Sequence, residues 1–163
     1  MRQYMLLMVL AGLLGSYSTA RAADTDVNAL EHVLDEWAAA WSSGNTDKLL
    51  PLFTEDVYYE DVTFGAVNRG QEALRKFAMT VFEAWPNATF ELKSRFVGTS
   101  GKWGSIEWVW HGRQTKDLPG LPATNTPFEL RGASVIEFRG SKISRNSDYY
   151  DLATYKKRVG LTK

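Results

Sequence analysis

A change of rhythm at Pro86 limits what this chain can become more than any other feature. Before it, apolar residues recur every three or four positions. Val27, Leu30, Val33, Leu34, Trp37 and Trp41 form one stripe; Leu74, Phe77, Ala78, Val81, Phe82 and Trp85 form another. That spacing gathers each set on one face of a helix. After it, the stretches ATFELKSRFVG, KWGSIEWVWHG, PFELRGASVIEF and KISRNSDYY read with a period of two, the rhythm of strands. Pro86 closes the second stripe because it has no N–H to continue a helix. Helices first and strands in series afterwards point to an α+β domain. A strongly curved sheet wrapped around the helices buries both patterns and leaves an open end where a pocket forms.

The punctuation sharpens this reading. Asp24, Thr25 and Asp26 offer N-caps to the first helix, and Gly44 stops it. A short second helix is expected from Thr46 to about Phe53, then a strand over Glu55–Asp61 and a loop, GAVNRG, ending at Gly70. The third helix is expected over Gln71–Trp85. GTSG and RGS make tight turns between strands, and the longer link from Gly112 to Thr126 carries Pro119, Gly120 and Pro122. A last helix spans about Asp151 to Val159, with Gly160 at its end.

The first residues belong to a different pattern. Arg2 is followed by an apolar run from Tyr4 to Gly15 and by Ala20-Arg21-Ala22, a small-x-small cleavage site. This reads as a signal peptide over 1–22, with a single domain over 23–163. The apolar run is too short for a comfortable membrane span, so the mature protein is expected to be exported, periplasmic or secreted, without stable membrane insertion.

Composition removes several classes of function. Formal net charge is zero, and no basic run marks a nucleic-acid surface. The chain has no Cys and only two His, so thiolate chemistry and a His-rich metal site are excluded. No HExxH, GxSxG, P-loop or GxGxxG motif appears. Aromatic residues make up 13% of the chain, with six Trp; such bulk fills a core or lines a pocket.

The closing strand carries the chemistry. Ser147-Asp148-Tyr149-Tyr150-Asp151 sets two carboxylates and two phenols at its end. Alternation puts Ser144, Asn146, Asp148 and Tyr150 on one face, and Ile143, Arg145, Ser147 and Tyr149 on the other. On the middle strand Glu107, Val109 and His111 share a face opposite Ile106, Trp108 and Trp110. Alternation leaves open which face is concave. A carboxylate in an aromatic pocket loses solvation, and its pKa rises towards a useful range. Otherwise Asp148 pairs with Arg131 or Arg145 at the sheet rim. Asp151 reads as the N-cap of the last helix. Tyr58 and Tyr59 point opposite ways, so only one can line a pocket.

AWSSGNTDKLLPLFTEDVYYED, RGQEALRKF, DLPGLPATNTPFELRGASVIEFRGSKI and DYYDLATYKKRVGL together resemble the SnoaL-like polyketide cyclase family, within the nuclear transport factor 2-like superfamily. The resemblance implies a cone: a strongly curved antiparallel sheet wrapped around three helices, with a C-terminal helix. It implies a small hydrophobic, polyketide-like ligand, no metal and no cofactor, and intramolecular aldol closure or isomerisation with Asp148 as the acid–base group. Asp61 is a second catalytic candidate; Tyr59, His111, Trp108, Gln114 and Tyr150 are expected around the substrate. The resemblance also implies a homodimer packed through the outer sheet face. Two departures stand out. Family members often carry a His where this chain has Gln114, and the Arg-x-Asp pair of the related limonene-epoxide hydrolases is missing from SIEWVW. The rival reading is an exported module that binds a small ligand without turnover; a third is an interaction protein whose exposed sheet dimerises.

Overall fold

The computed structural model describes residues 26–162, so the expected signal peptide and its boundary at 22 and 23 lie outside the described residues. Helix α1, Val27–Ser42, starts at Asp26, whose carboxylate accepts from the amides of Asn28 and Ala29 at 3.0 and 3.3 Å. It buries Leu30, Leu34, Trp37, Ala38, Ala40 and Trp41, close to the stripe read from the sequence. A one-turn helix α2, Thr46–Leu49, passes into a 3-10 turn, Leu50–Leu52, where Pro51 sits near the start. Strand β1, Phe53–Asp61, follows directly.

The stretch read as a loop contains a short edge strand, β2, Ala66–Arg69. Glycines on both sides made it look like a turn, and four residues with one large apolar member carry no period. Helix α3, Gln71–Ala84, then packs Leu74 and Ala78 inward and ends before Pro86. Four strands complete the sheet: β3, Thr89–Val97; β4, Trp103–Arg113; β5, Pro127–Arg139; and β6, Lys142–Tyr150. Helix α4, Leu152–Arg158, closes the chain, capped by Asp151, which accepts from the Thr154 amide at 3.0 Å.

The six strands form one curved sheet in the order β2-β1-β6-β5-β4-β3. Its pairs are antiparallel except β1 with β6, which run parallel. No hairpin joins those two strands, so nothing local imposes the antiparallel direction. The parallel register sets Asp61 beside Asp148 and Tyr59 beside Asn146.

Burial settles which face is concave. On β5, Phe128, Leu130, Ser134, Ile136 and Phe138 are buried, whereas Glu129, Arg131, Ala133 and Val135 are exposed. On β4, Ile106, Trp108 and Trp110 face inward. The simple alternation of β6 needs one correction. Glu137 pairs with Arg145 but Phe138 pairs with Ile143, so Ser144 is an extra residue in the ladder. The bulge flips the parity, and Ile143 joins Asn146 and Asp148 on the inner face. Trp41 stands at the centre of the enclosed core, with Tyr59, Phe77 and Phe82 at ring distances of 5.7, 6.3 and 5.5 Å.

Candidate active site

Between the concave face and α3 lies a cavity of about 250 Å³, roughly eight water volumes. Trp41, Phe77, Trp85, Phe90, Trp108 and Trp110 supply aromatic walls. Phe64, Ala66, Leu118 and Pro119 also border it. The polar groups that reach it include Tyr59, Asp61, Asp148 and Tyr150, and among the described residues no Lys, Arg or His lines it.

These four come from the two parallel strands, and they pair on the diagonal. The Tyr59 hydroxyl on β1 donates to Asp148 Oδ2 on β6. The Tyr150 hydroxyl on β6 donates to Asp61 Oδ2 on β1 at 2.7 Å. Each phenol therefore reaches the carboxylate two positions along the neighbouring strand, a distance long side chains span easily. Asp61 Oδ1 also accepts from the Phe64 amide at 2.9 Å, tying the turn after β1 to the site. Asp148 Oδ1 accepts from Ser134 Oγ and from Asn146 Nδ2, each at 2.6 Å.

Asp148 is 8% exposed and Asp61 7%. Burial pushes the Asp148 carboxyl up to about 6; the Ser134, Tyr59 and Asn146 hydrogen bonds work against that rise, and the Asp61 charge adds to it. Burial also raises Asp61, against the Phe64 amide and the Tyr150 hydroxyl. Tyr59 is pushed well above the usual phenol range by burial and then by the Asp148 charge, and Tyr150 is raised by burial and then by Asp61. Both phenols thus stay protonated and serve as donors at neutral pH. An acid of pKa near 6 beside neutral donors can take a proton from carbon and return it, while a phenol steadies the oxygen that gains charge. Among the described residues no cluster of three or more His, Asp or Glu side chains is placed to hold a metal ion.

Five of the seven residues singled out from the sequence meet here: Asp148, Asp61, Tyr59, Trp108 and Tyr150. The rim salt bridge considered for Asp148 does not form. Arg131 pairs with Glu107, and Arg145 lies against Tyr58 and Glu60.

Two residues are placed elsewhere. His111 lies on the convex face with Glu107 and Val109, 3.4 Å from Glu91, because β4 keeps strict alternation and Trp108 and Trp110 take the inner positions. Gln114 is buried, but its amide is consumed by structure. Its Nε2 donates to the carbonyls of Lys116 and Leu121 at 2.9 and 2.8 Å, and its Oε1 accepts from the Tyr155 hydroxyl at 2.8 Å. It latches the loop that carries Leu118 and Pro119 to the cavity.

Ser134 was not singled out from the sequence. Its signal was a hydroxyl in phase with Leu130 and Ile136 on a strand whose other inward positions are largely apolar. The remaining aromatic walls, Phe77, Phe90 and Trp110, had no signal distinguishing them from core.

The comparisons with known proteins agree with this architecture. The family model of SnoaL-like polyketide cyclase matches residues 31–158. A protein of ketosteroid isomerase-like fold from Catenulispora acidiphila, solved in complex with trimethylamine, is 28% identical, with a TM-score of 0.69 over 80% of this chain and 93% of that one. A candidate polyketide cyclase from Xanthomonas campestris is 23% identical, with a TM-score of 0.72 over 82% and 98% of the two chains. Another from Pseudomonas putida is 23% identical, with a TM-score of 0.70 over 79% and 96%. No curated protein matches the chain.

Proposed function

The chain belongs to the SnoaL-like polyketide cyclase family, and from that premise and the geometry of the cavity we propose that it moves protons at a carbon next to a carbonyl in a small, neutral, ring-shaped ligand. Asp148 is the acid–base group. Tyr59 and Tyr150 supply hydrogen bonds to the oxygen that becomes enolate-like, and the aromatic walls hold the ring. The observation that carries this reading is a buried Asp148 that faces an apolar cavity with hydroxyl and amide donors but, among the described residues, no cation. A carboxylate kept for structure alone is normally paired with a base when buried. Aldol closure and isomerisation both begin with the same proton abstraction, so either product class fits this chemistry.

β-Tetralone in D2O tests it without knowledge of the physiological substrate. NMR should show the protein speeding exchange of the α-protons, and Asp148→Asn should slow that exchange by about 10² or more. Equal exchange in both proteins would overturn the reading.

A second reading has one observation in its favour. Aromatic faces and two carboxylates also suit a small organic cation, and the Catenulispora neighbour is solved with trimethylamine. Calorimetric binding of trimethylammonium without any tetralone exchange would favour this module over the enzyme.

The same proposal places the mature protein outside the cytoplasm as a homodimer. The signal-like N-terminus supports export. Phe96, Trp103, Val135 and Tyr149 are large and exposed, and the strand registers place all four on the outer face of the sheet, which supports pairing of two copies through that face.

A further inference from the structure

Asp148 is held asymmetrically. Its Oδ1 accepts two hydrogen bonds, from Ser134 and Asn146, while its Oδ2 accepts one, from Tyr59. A carboxylate oxygen offers two lone pairs, so Oδ1 is full and Oδ2 keeps one free.

The donors on Oδ1 cannot reverse. The Trp108 indole N–H donates to Ser134 Oγ at 2.9 Å. An indole only donates, so Ser134 receives from Trp108 and spends its single hydrogen on Asp148. Asn146 must also turn its amide nitrogen towards the carboxylate, since its oxygen there would set lone pairs against lone pairs. A proton on Oδ1 would strand both hydrogens, and Ser134 and Asn146 are fully buried. On Oδ2 the partner is a phenol, which can accept as well as donate.

The indole reaches Ser134 because a glycine lets it. Gly132 faces Trp108 across the β4–β5 pair. A Cβ at position 132 would sit 2.1 Å from the Trp108 ring, so any side chain there pushes the ring from its place over the strand.

We propose that Gly132, Trp108 and Ser134 are positioning residues that anchor Asp148 by Oδ1 and leave Oδ2 as the oxygen that takes the proton. This rests on the reading of Asp148 as the acid–base group. In the step, the C–H bond breaks, its electron pair passes into the enolate, and the proton goes to Oδ2. Tyr59 then accepts from the new O–H and turns its own hydrogen to the enolate oxygen. Return of the proton from Oδ2 to carbon restores the starting arrangement.

The test follows the Asp148 carboxyl carbon by NMR across pH without ligand, so it stands apart from turnover. The titratable groups facing Asp148 are Tyr59 and Asp61 from β1 and Tyr150 from β6; all three are unchanged in the variants. Ser134→Ala removes a donor to the charged form and should move the titration up by about one to two pH units. Ser134→Thr keeps the hydroxyl and should restore it. Trp108→Phe keeps an aromatic wall but frees Ser134 to rotate, and should give a smaller rise. A Ser134→Ala protein that melts like the parent and titrates like it overturns the relay. If that variant does not fold, an unmoved titration in Trp108→Phe overturns it equally. A moved titration supports the relay even where tetralone exchange is absent from the parent, an outcome that removes only the catalytic reading.

Discussion

On the convex side of β4, Glu107 meets the Arg131 guanidinium, and nearby Glu91 meets Lys93 at 2.6 Å and His111 at 3.4 Å. On the concave side of the same sheet, Asp148 and Asp61 meet phenols, a serine, an asparagine and a backbone amide, and, among the described residues, no base. The outer acids keep their water and their counter-charges. Lys93, then His111, hold Glu91 below the usual carboxylate range. The inner acids have lost their water and gained only neutral donors, so both are pushed upward. One sheet thus carries acids that contribute little to stability and acids that cost stability, and the second kind faces the cavity.

The sharpest way to break this contrast is to remove the inner charge. A carboxyl raised from 3.8 to about 6 costs the fold roughly 3 kcal/mol once fully ionised. The folded protein holds that proton more tightly than the unfolded chain, so this contribution to stability is present below about pH 4 and is lost as pH rises through 6. Asp148→Asn should therefore be as stable as the parent near pH 4. It should gain on the parent between pH 4 and 7, by up to roughly 3 kcal/mol. Urea unfolding at a series of pH values measures the gap. A variant less stable than the parent at about pH 8 would place Asp148 with the structural acids.

A smaller effect tests whether the two inner acids act on each other. Asp61→Asn removes the charge that helps to raise Asp148. The Asp148 titration should move down, and the acid limb of any tetralone exchange profile should move down with it. An unchanged profile would mean that the two carboxylates, although neighbours in the β1–β6 register, work separately.

The least effect is expected outside. Glu107→Gln breaks the Arg131 pair, whose partners are 39% and 72% exposed. Thermal unfolding should shift by no more than about 0.5–1 kcal/mol in stability, and tetralone exchange should not change. A loss comparable to the inner substitution would erase the distinction between the faces.

Much of this fold was legible in the linear order of residues. The two helical stripes, an N-cap among Asp24, Thr25 and Asp26, the stop at Pro86, the four closing strands and the cap at Asp151 all depend on contacts within a few residues. So does the pairing of Asp148 and Tyr150 on one face, since both lie beyond the bulge at Ser144. β2 was not legible, because an edge strand of four residues gains its identity from β1 beside it.

The candidate site divides in the same way. Asp148, Asp61, Tyr59, Trp108 and Tyr150 could be named from residue type, alternation and family resemblance. Their crossed pairing could not, because it needs β1 and β6 side by side and parallel, and 80 or so residues separate those strands. His111 and Gln114 show the limit of analogy. One is turned outward by a strand whose inner positions went to tryptophans, and the other is spent on the loop that follows it.

The sequence by itself determined the order of helices and strands, the caps and turns, and the presence of acids and phenols at the ends of two strands, since these follow from local propensity and period. Only the tertiary structure decided which face of the sheet is concave, that Gly132 makes room for Trp108 to reach Ser134, and that Asp148 sits among neutral donors. Burial is a property of what surrounds a residue from distant parts of the chain, and here burial is what separates an acid whose pKa is pushed upward from one that meets a surface arginine.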